Sequence, residues 1–478
     1  MKNRNWKIVY SSYEGVEKRT VEFLNEEIGG RILRDPGVYS VHVMACEKVG
    51  CALDKNAIVI GTWKGNVLLR SLLRREEVPE GGYLVRVIDN PENKDLQLVL
   101  IAGDTPSAVL WGAADFVDAG LPAIAPLHDG HRFETDIFEE TRLKPYESRR
   151  APKTRVRSVF FWGHTVDDYE THFANLARLR FNEVIIWNEY PPVNARDIVE
   201  CAHSWGIAVV WGFSWGWSTN CNVVDFDNLD KLSDHIVEEW RTVWKPLGGD
   251  GIYFQSFTEL SKDTIDGHPI AETVVGLVNA TCARIFAESP NERIEFGLHA
   301  TSVRKKLDVI ARVDPRIEII WENCGGFPYN TTSPYDPAYA ETLTREILAQ
   351  KRPAGLVFKC QAMLDWSRGR FNHQPGPYVM GRAGRRALRE DEAMLEQLWR
   401  HYTADWLRYG EFAYRLVRLA QAEKDVPVTM NLVGNLIGEI HFPTALCAEL
   451  FWSADEPYET IRDRVLRRPA ARQITDNR

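Results

Sequence analysis

Along the chain, the spacing of apolar positions changes once, near residue 150. Before that point, short apolar runs are predicted as strands at 6–10, 41–45 and 57–60, with a helical period over 17–32. Two further β-rich runs, 82–87 and 96–102, flank the turn-forming stretch DNPENKD and read as a hairpin. The segment TPSAVLWGAADFVDAGLP opens on a threonine N-cap, keeps helical periodicity and stops at a glycine, so it reads as a helix. Residues 128–152 are rich in charge and proline, which puts an expected domain boundary there and a small α/β domain at 1–148.

From Thr154 onward, near-continuous apolar runs alternate with longer amphipathic ones, the pattern of βα units. Seven strands are expected: RVRSVFFW (155–162), EVIIWNE (183–189), AVVWGFSW (208–215), GIYFQSFTE (251–259), RIEFGLHA (293–300), RIEIIWENCG (316–325) and GLVFKCQAMLDW (355–366). Strands with so little alternation belong in a parallel sheet covered on both faces, and seven successive units favour closing it. An open doubly wound sheet uses the same alternation, but the turn FFWGHTVDD lacks the glycine-rich phosphate loop of that fold. The expected architecture is therefore α/β: a (β/α)8 TIM barrel over 149–434, its eighth strand drawn from VPVTMNLVG (426–434), preceded by the small domain and followed by a helical extension at 435–478 packed on the barrel.

Composition narrows the function classes. A formal net charge of -9 and no Lys/Arg-rich run argue against nucleic acid or an anionic membrane as partner. The first residues, MKNRNWKIVYSSYEG, lack the apolar core of a secretory signal, so a cytoplasmic protein is expected. Eight scattered cysteines read as buried thiols; Cys46 and Cys51 have no second pair, so neither zinc nor any cofactor is expected. A homodimer is one option for the assembly, which the sequence does not fix.

In a barrel of this type, chemistry is built where strands end. Those ends carry Trp162 and His164, then Trp187, Asn188, Glu189, then Trp211 and Trp215, then Glu259, His299, Trp321 with Glu322, and finally Lys359 with Asp365 and Trp366. Indole faces stack on sugar rings while hydroxyls take polar side chains, so these residues suggest a carbohydrate site; the plainer alternative is that two or three of the tryptophans fill the barrel. Glycoside hydrolysis needs one protonated and one ionised carboxyl across the bond. Glu259, after the apolar run IYFQSF, is expected to be the acid, Glu322 the base, and Asp365 a second candidate for that base. For any one of them the plainer alternative is a structural ion pair. His164 and His299 are expected to orient hydroxyls or a substrate carboxylate, and Asn188 with Glu189 to bind sugar hydroxyls.

The order AIVIGT, GGYLVRV, LVLIAGDTPSAVLWGAADFVD and then RSVFFW resembles the amino-terminal architecture shared by the α-glucuronidases and the β-N-acetylhexosaminidases, over roughly the first 330 residues. The resemblance implies an acid after the fourth barrel strand and base carboxylates after later ones, which fall on Glu259, Glu322 and Asp365. Hexosaminidases carry an Asp-Glu pair where this chain has Thr258-Glu259, which argues against substrate assistance and for inversion through water. A divalent-metal sugar isomerase using Glu189, Glu259, His299, Glu322 and Asp365, and a non-catalytic carbohydrate-binding protein, stand as the other readings.

Overall fold

The computed structural model describes residues 6–31, 39–42, 56–121, 143–162, 166, 168–187, 189–216, 224–258, 263–299, 303–322, 337–359, 376–381, 385–433, 440–468 and 471–472. The first part is a six-stranded sheet built from β1 (Trp6–Tyr10), β2 (Tyr39–His42), β3 (Asn56–Thr62), β4 (Tyr83–Asn90), β5 (Asn93–Gly103) and β6 (Glu147–Arg150). Their order is β2-β1-β3-β5-β4-β6, parallel from β2 to β5, with β4 and β5 forming the expected antiparallel hairpin. Thr105 caps the helix Pro106–Asp115, its hydroxyl accepting from the Ala108 N–H at 3.2 Å. Strand β6 is not legible as a strand in the sequence. Its residues, ESRR, have no apolar alternation because they lie at the sheet edge, where Glu147 pairs with Arg86 on β4 at 2.9 Å.

The second part is the closed barrel that the periodicity predicts. Its strands are β7 (Arg157–Trp162), β8 (Glu183–Trp187), β9 (Ala208–Ser214) and β10 (Gly251–Gln255), then, past a small hairpin of β11 (Thr264–Ile265) and β12 (His268–Pro269), β13 (Ile294–His299), β14 (Glu318–Glu322), β15 (Ala354–Lys359) and β16 (Val428–Val433). Every neighbouring pair in the barrel is parallel, and β16 closes the ring on β7 with Met430 opposite Arg157. Alternate residues face in and out. Phe160, Ile185, Trp187, Val210, Tyr253, Ile320, Val357 and Val433 fill the interior, while Val159, Val184, Phe254, Phe296, Ile319 and Leu432 pack outward against the helices.

The carboxyl-terminal helix Phe442–Trp452 joins the two parts, because neighbouring residues on a helix point about 100° apart. Phe451 enters the barrel shell against Phe181 and Phe358, and Trp452 enters the core of the first sheet, edge-on to Trp111 at 5.2 Å between ring centroids. One turn back, the fully buried Glu449 pairs with Arg150 of β6 (2.9 Å), Arg464 (3.6 Å), Arg180 and Arg468. The Arg157 guanidinium stacks between Trp111 and Trp452, donating to the carbonyls of Arg180 and Thr154.

At the amino-terminal end of the barrel the charge balance is reversed. Glu183, Glu295 and Glu318 surround one guanidinium, Arg293, which pairs with Glu183 and, at 2.6 Å, with Glu295; the Thr429 hydroxyl donates to Glu318 at 2.6 Å. Burial pushes all three carboxyls upward despite Arg293, Glu183 to about 7. With one cation among three largely buried carboxyls, protons are favoured on the surplus carboxyls.

Two outcomes follow for stability. Glu449→Gln leaves buried guanidinium groups without their shared carboxylate, and the loss is expected to reach about 3 kcal/mol, read as a lowered thermal midpoint; an unchanged midpoint contradicts the keystone role. The raised carboxyls bind protons more tightly folded than unfolded, so their contribution is complete below the unfolded value and fades as pH rises through the folded one. Melting temperature should therefore fall from about pH 5 to about pH 8, and Glu295→Gln should flatten that slope.

Candidate functional site

Strand alternation decides which of the expected residues share the mouth of the barrel. Glu322, Lys359 and His299 are the last residues of β14, β15 and β13, and all three take the inward parity set by Ile320, Val357 and the opposing register His299↔Glu322. The Glu322 carboxylate is fully buried. One oxygen accepts from the Tyr253 hydroxyl at 3.0 Å and from the Gln255 side-chain amide, which also donates to Tyr253 at 3.0 Å. The other oxygen lies 3.3 Å from the Lys359 ammonium and 3.6 Å from His299 Nε2.

Burial by itself would raise the Glu322 carboxyl, but the Lys359 charge, the His299 ring and the Tyr253 hydrogen bond outweigh it and hold the group below the ordinary glutamate range. Burial, helped by the Lys359 charge, pulls His299 down to about 4, so its ring is neutral at physiological pH. Tyr253 is pushed far up, by burial first and then by Glu322, and stays protonated as a donor. The arrangement is a fully buried, ionised carboxylate fixed by oriented donors. It suits proton abstraction or attack on an electrophilic carbon rather than proton donation.

Tyr253, Gln255 and Gly297 are absent from the expected site residues, although they are part of this site. A side chain at Gly297 would collide with the Tyr253 hydroxyl, so the missing Cβ is what lets the phenol reach across to Glu322. Gly212 does the same for Trp187, whose backbone and ring a Cβ there would crowd at 3.1–3.2 Å. An inward glycine next to an inward aromatic on a neighbouring strand is the signal that the sequence carries for them.

The expected tryptophan rim is corrected in three places. Trp211, Trp215 and Trp321 are buried in the layer between strands and helices: Trp211 donates to the Gly248 carbonyl at 2.8 Å, Trp215 stacks on Phe254 at 3.6 Å between ring centroids, and Trp321 lies in the same outer core. The reason is parity, since Trp321 and Glu322 are adjacent in one strand and must face opposite sides of the barrel wall. Trp187 does face inward, buried at the top of the interior and edge-on to Tyr253 at 5.7 Å. Glu189 follows it in the next loop, half-buried. Trp162 is the last residue of β7, paired with Trp187, and its side chain lies outside the described residues. Glu259, Asp365, Trp366, His164 and Asn188 also lie outside them.

Among the described residues no group of three metal-ligating side chains forms. A cavity of about 420 Å³ lies at the other end of the barrel, lined by Thr154, Arg293, Glu318, Gln421 and Thr429, away from the strand tips.

No family model matches the chain, and no curated protein does. Among solved structures the chain is similar to that of CpGH84D, with 11% sequence identity, a TM-score of 0.47, and coverage of 88% of this chain and 70% of that one.

Gly297→Ala tests the mouth geometry. Displacing Tyr253 should cost about 1–3 kcal/mol of stability and raise the Glu322 carboxyl toward its ordinary range, seen as an upward shift of its titration by NMR. A carboxyl that titrates as in the parent protein would contradict the role given to Tyr253.

Proposed function

We propose that the chain is a glycoside hydrolase acting at the carboxyl end of its barrel, with Glu322 as the ionised carboxylate of the pair. The observation that carries this reading is the Glu322 environment: a carboxylate kept charged at the strand tips by Lys359, His299, Tyr253 and Gln255. A glycosidase base must be charged before substrate arrives, and Glu322 meets that requirement at the strand tips, the end of a parallel barrel where chemistry is built.

In this reading Glu322 takes a proton from water as the water attacks the anomeric carbon, while Glu259, four residues beyond Gln255, protonates the departing oxygen. The C–O bond to the leaving group breaks, the new C–O bond to water forms on the opposite face, and configuration inverts. Lys359 restrains the charge on Glu322 before the reaction and the neutral His299 orients the same oxygen. The substrate is a glycoside or oligosaccharide, with uronic acid and N-acetylhexosamine residues as the first sugars to assay, following the resemblance of the amino-terminal elements.

Glu322→Gln keeps the shape and removes the base. Turnover of aryl glycosides should drop by about 10²-fold or more with sugar affinity retained. In the parent protein the acidic limb of kcat/KM should lie below the ordinary glutamate range, because the depressed carboxyl stays ionised until pH falls through its folded value. Sugar binding with no turnover in the parent protein would support a binding protein instead, and a retained anomer in the product would overturn inversion.

A further inference from the structure

The cavity of about 420 Å³ at the amino-terminal end of the barrel is within the size range of small-molecule sites and lies at the far end from Glu322. Three parts of the chain build it: the linker 153–156 that leads into β7, the barrel floor at Arg293, Glu318 and Thr429, and the end of the helix Arg385–Gln421 with the turn into β16. Val156, Val426, Pro427 and Met430 give it an apolar wall.

Most polar groups that line it already have partners. Gln421 donates to the Thr154 hydroxyl and to the carbonyls of Leu450 and Phe451, and accepts from the Ala454 N–H. Lys153 pairs with Asp455 at 3.2 Å, Glu423 with Lys351 at 2.7 Å, and Arg293 with Glu183 and Glu295. Two charged groups of opposite sign are left over. Glu318 accepts the Thr429 hydroxyl on one oxygen, and among the described residues no cation comes within ion-pair distance of it; the exposed Arg155 guanidinium likewise has no carboxylate there. A simple amine would meet Glu318 but face Arg155 and Arg293, and a simple carboxylate would meet Arg155 but face Glu318 with Glu183 and Glu295 behind it. A molecule that carries both charges answers both groups.

We propose that this cavity is a second ligand site, for an α-amino acid with a short apolar side chain. Its ammonium donates to the other oxygen of Glu318, its carboxylate accepts from Arg155, and its side chain lies on the wall of Val156, Pro427 and Met430. The site is independent of the hydrolase reading. Because the linker and the turn into β16 both line it, occupancy ties the two parts of the fold together and raises stability by linkage. Burial pushes the Glu318 carboxyl up, and the charged groups around it are Arg293, Glu183 and Glu295 on the neighbouring strands and Lys153, Arg155 and Glu423 at the cavity. An ammonium requires the ionised form, so binding releases a proton below the folded value and tightens as pH rises through it.

The test is calorimetry and thermal melting of the full chain with L-valine, isobutylamine and isovalerate, the last two keeping the side chain and one charge each. Valine should raise the melting temperature and bind about tenfold or more tighter than either of the others, with a heat that varies with the ionisation enthalpy of the buffer. Arg155→Gln, a change at an exposed position, should weaken valine about fivefold, and Glu318→Gln about tenfold with loss of the proton release. Glu322→Gln should leave valine binding as it is. No valine binding, affinity matched by the amine or the acid, heat independent of buffer, or affinity unmoved by the Arg155 and Glu318 variants overturns the site. Loss of binding in Glu322→Gln alone places the contact at the barrel mouth and overturns it as well; none of these outcomes bears on glycoside turnover.

Discussion

The wall of a closed parallel barrel has two sides, and each strand must divide its residues between them with a period of two. That constraint governs most of what this protein can do. Because Ile320 and Val357 point into the interior, Glu322 and Lys359, two residues further along their strands, must also point inward at the mouth. The residues between them, Trp321 and Phe358, go to the helices. The same rule makes room for function: inward glycines at 212 and 297 leave volume that Trp187 and Tyr253 occupy from adjacent or neighbouring positions. A one-residue slip in β14 would exchange the Glu322 carboxylate for the Trp321 indole at the mouth and put the carboxylate in the strand–helix layer.

Buried charge is handled in three different ways along the axis of the molecule. At the joint between the sheet, the barrel and the last helices, Glu449 is shared among several guanidinium groups, so removing the single anion is the damaging change. At the amino-terminal end of the barrel, three carboxyls compete for Arg293, and burial favours protons on the surplus. At the mouth, among the described residues, one carboxylate faces one ammonium with neutral donors around them. Only this last arrangement puts an ionised carboxylate at the strand tips with neutral donors on its second oxygen. Electrostatics therefore distinguishes the two ends of the barrel, as strand direction also does.

Much of this is legible in the residues alone. The near-continuous apolar runs from Thr154 mark seven barrel strands, the eighth that the structure shows is VTMNLV within the stretch the sequence offered for it, and Thr105 marks the start of its helix. Glu322, Lys359 and His299 stand out because strand ends concentrate chemistry in this fold. The tryptophans mislead for a physical reason: indole suits both a sugar platform and a strand-helix layer, and proximity to a strand end does not say which side of the wall a residue faces. Parity counted from Glu322 excludes Trp321. Strand β6 escapes detection because an edge strand that pairs with β4 through its backbone and the Glu147–Arg86 contact needs no apolar alternation.

The chain by itself determined the succession of elements, since periodicity and capping act locally and survive into the folded molecule. It also determined which residue types arrive at the strand tips. What only the tertiary structure decided was their company. The hydrogen bonds from Tyr253 and Gln255 to Glu322 span 69 and 67 positions in sequence, and the link from Asn194 to Met380 spans 186. Such pairings depend on barrel closure and register, which bring distant strands to fixed angles, and no local pattern encodes the distance between side chains that meet only across the finished ring.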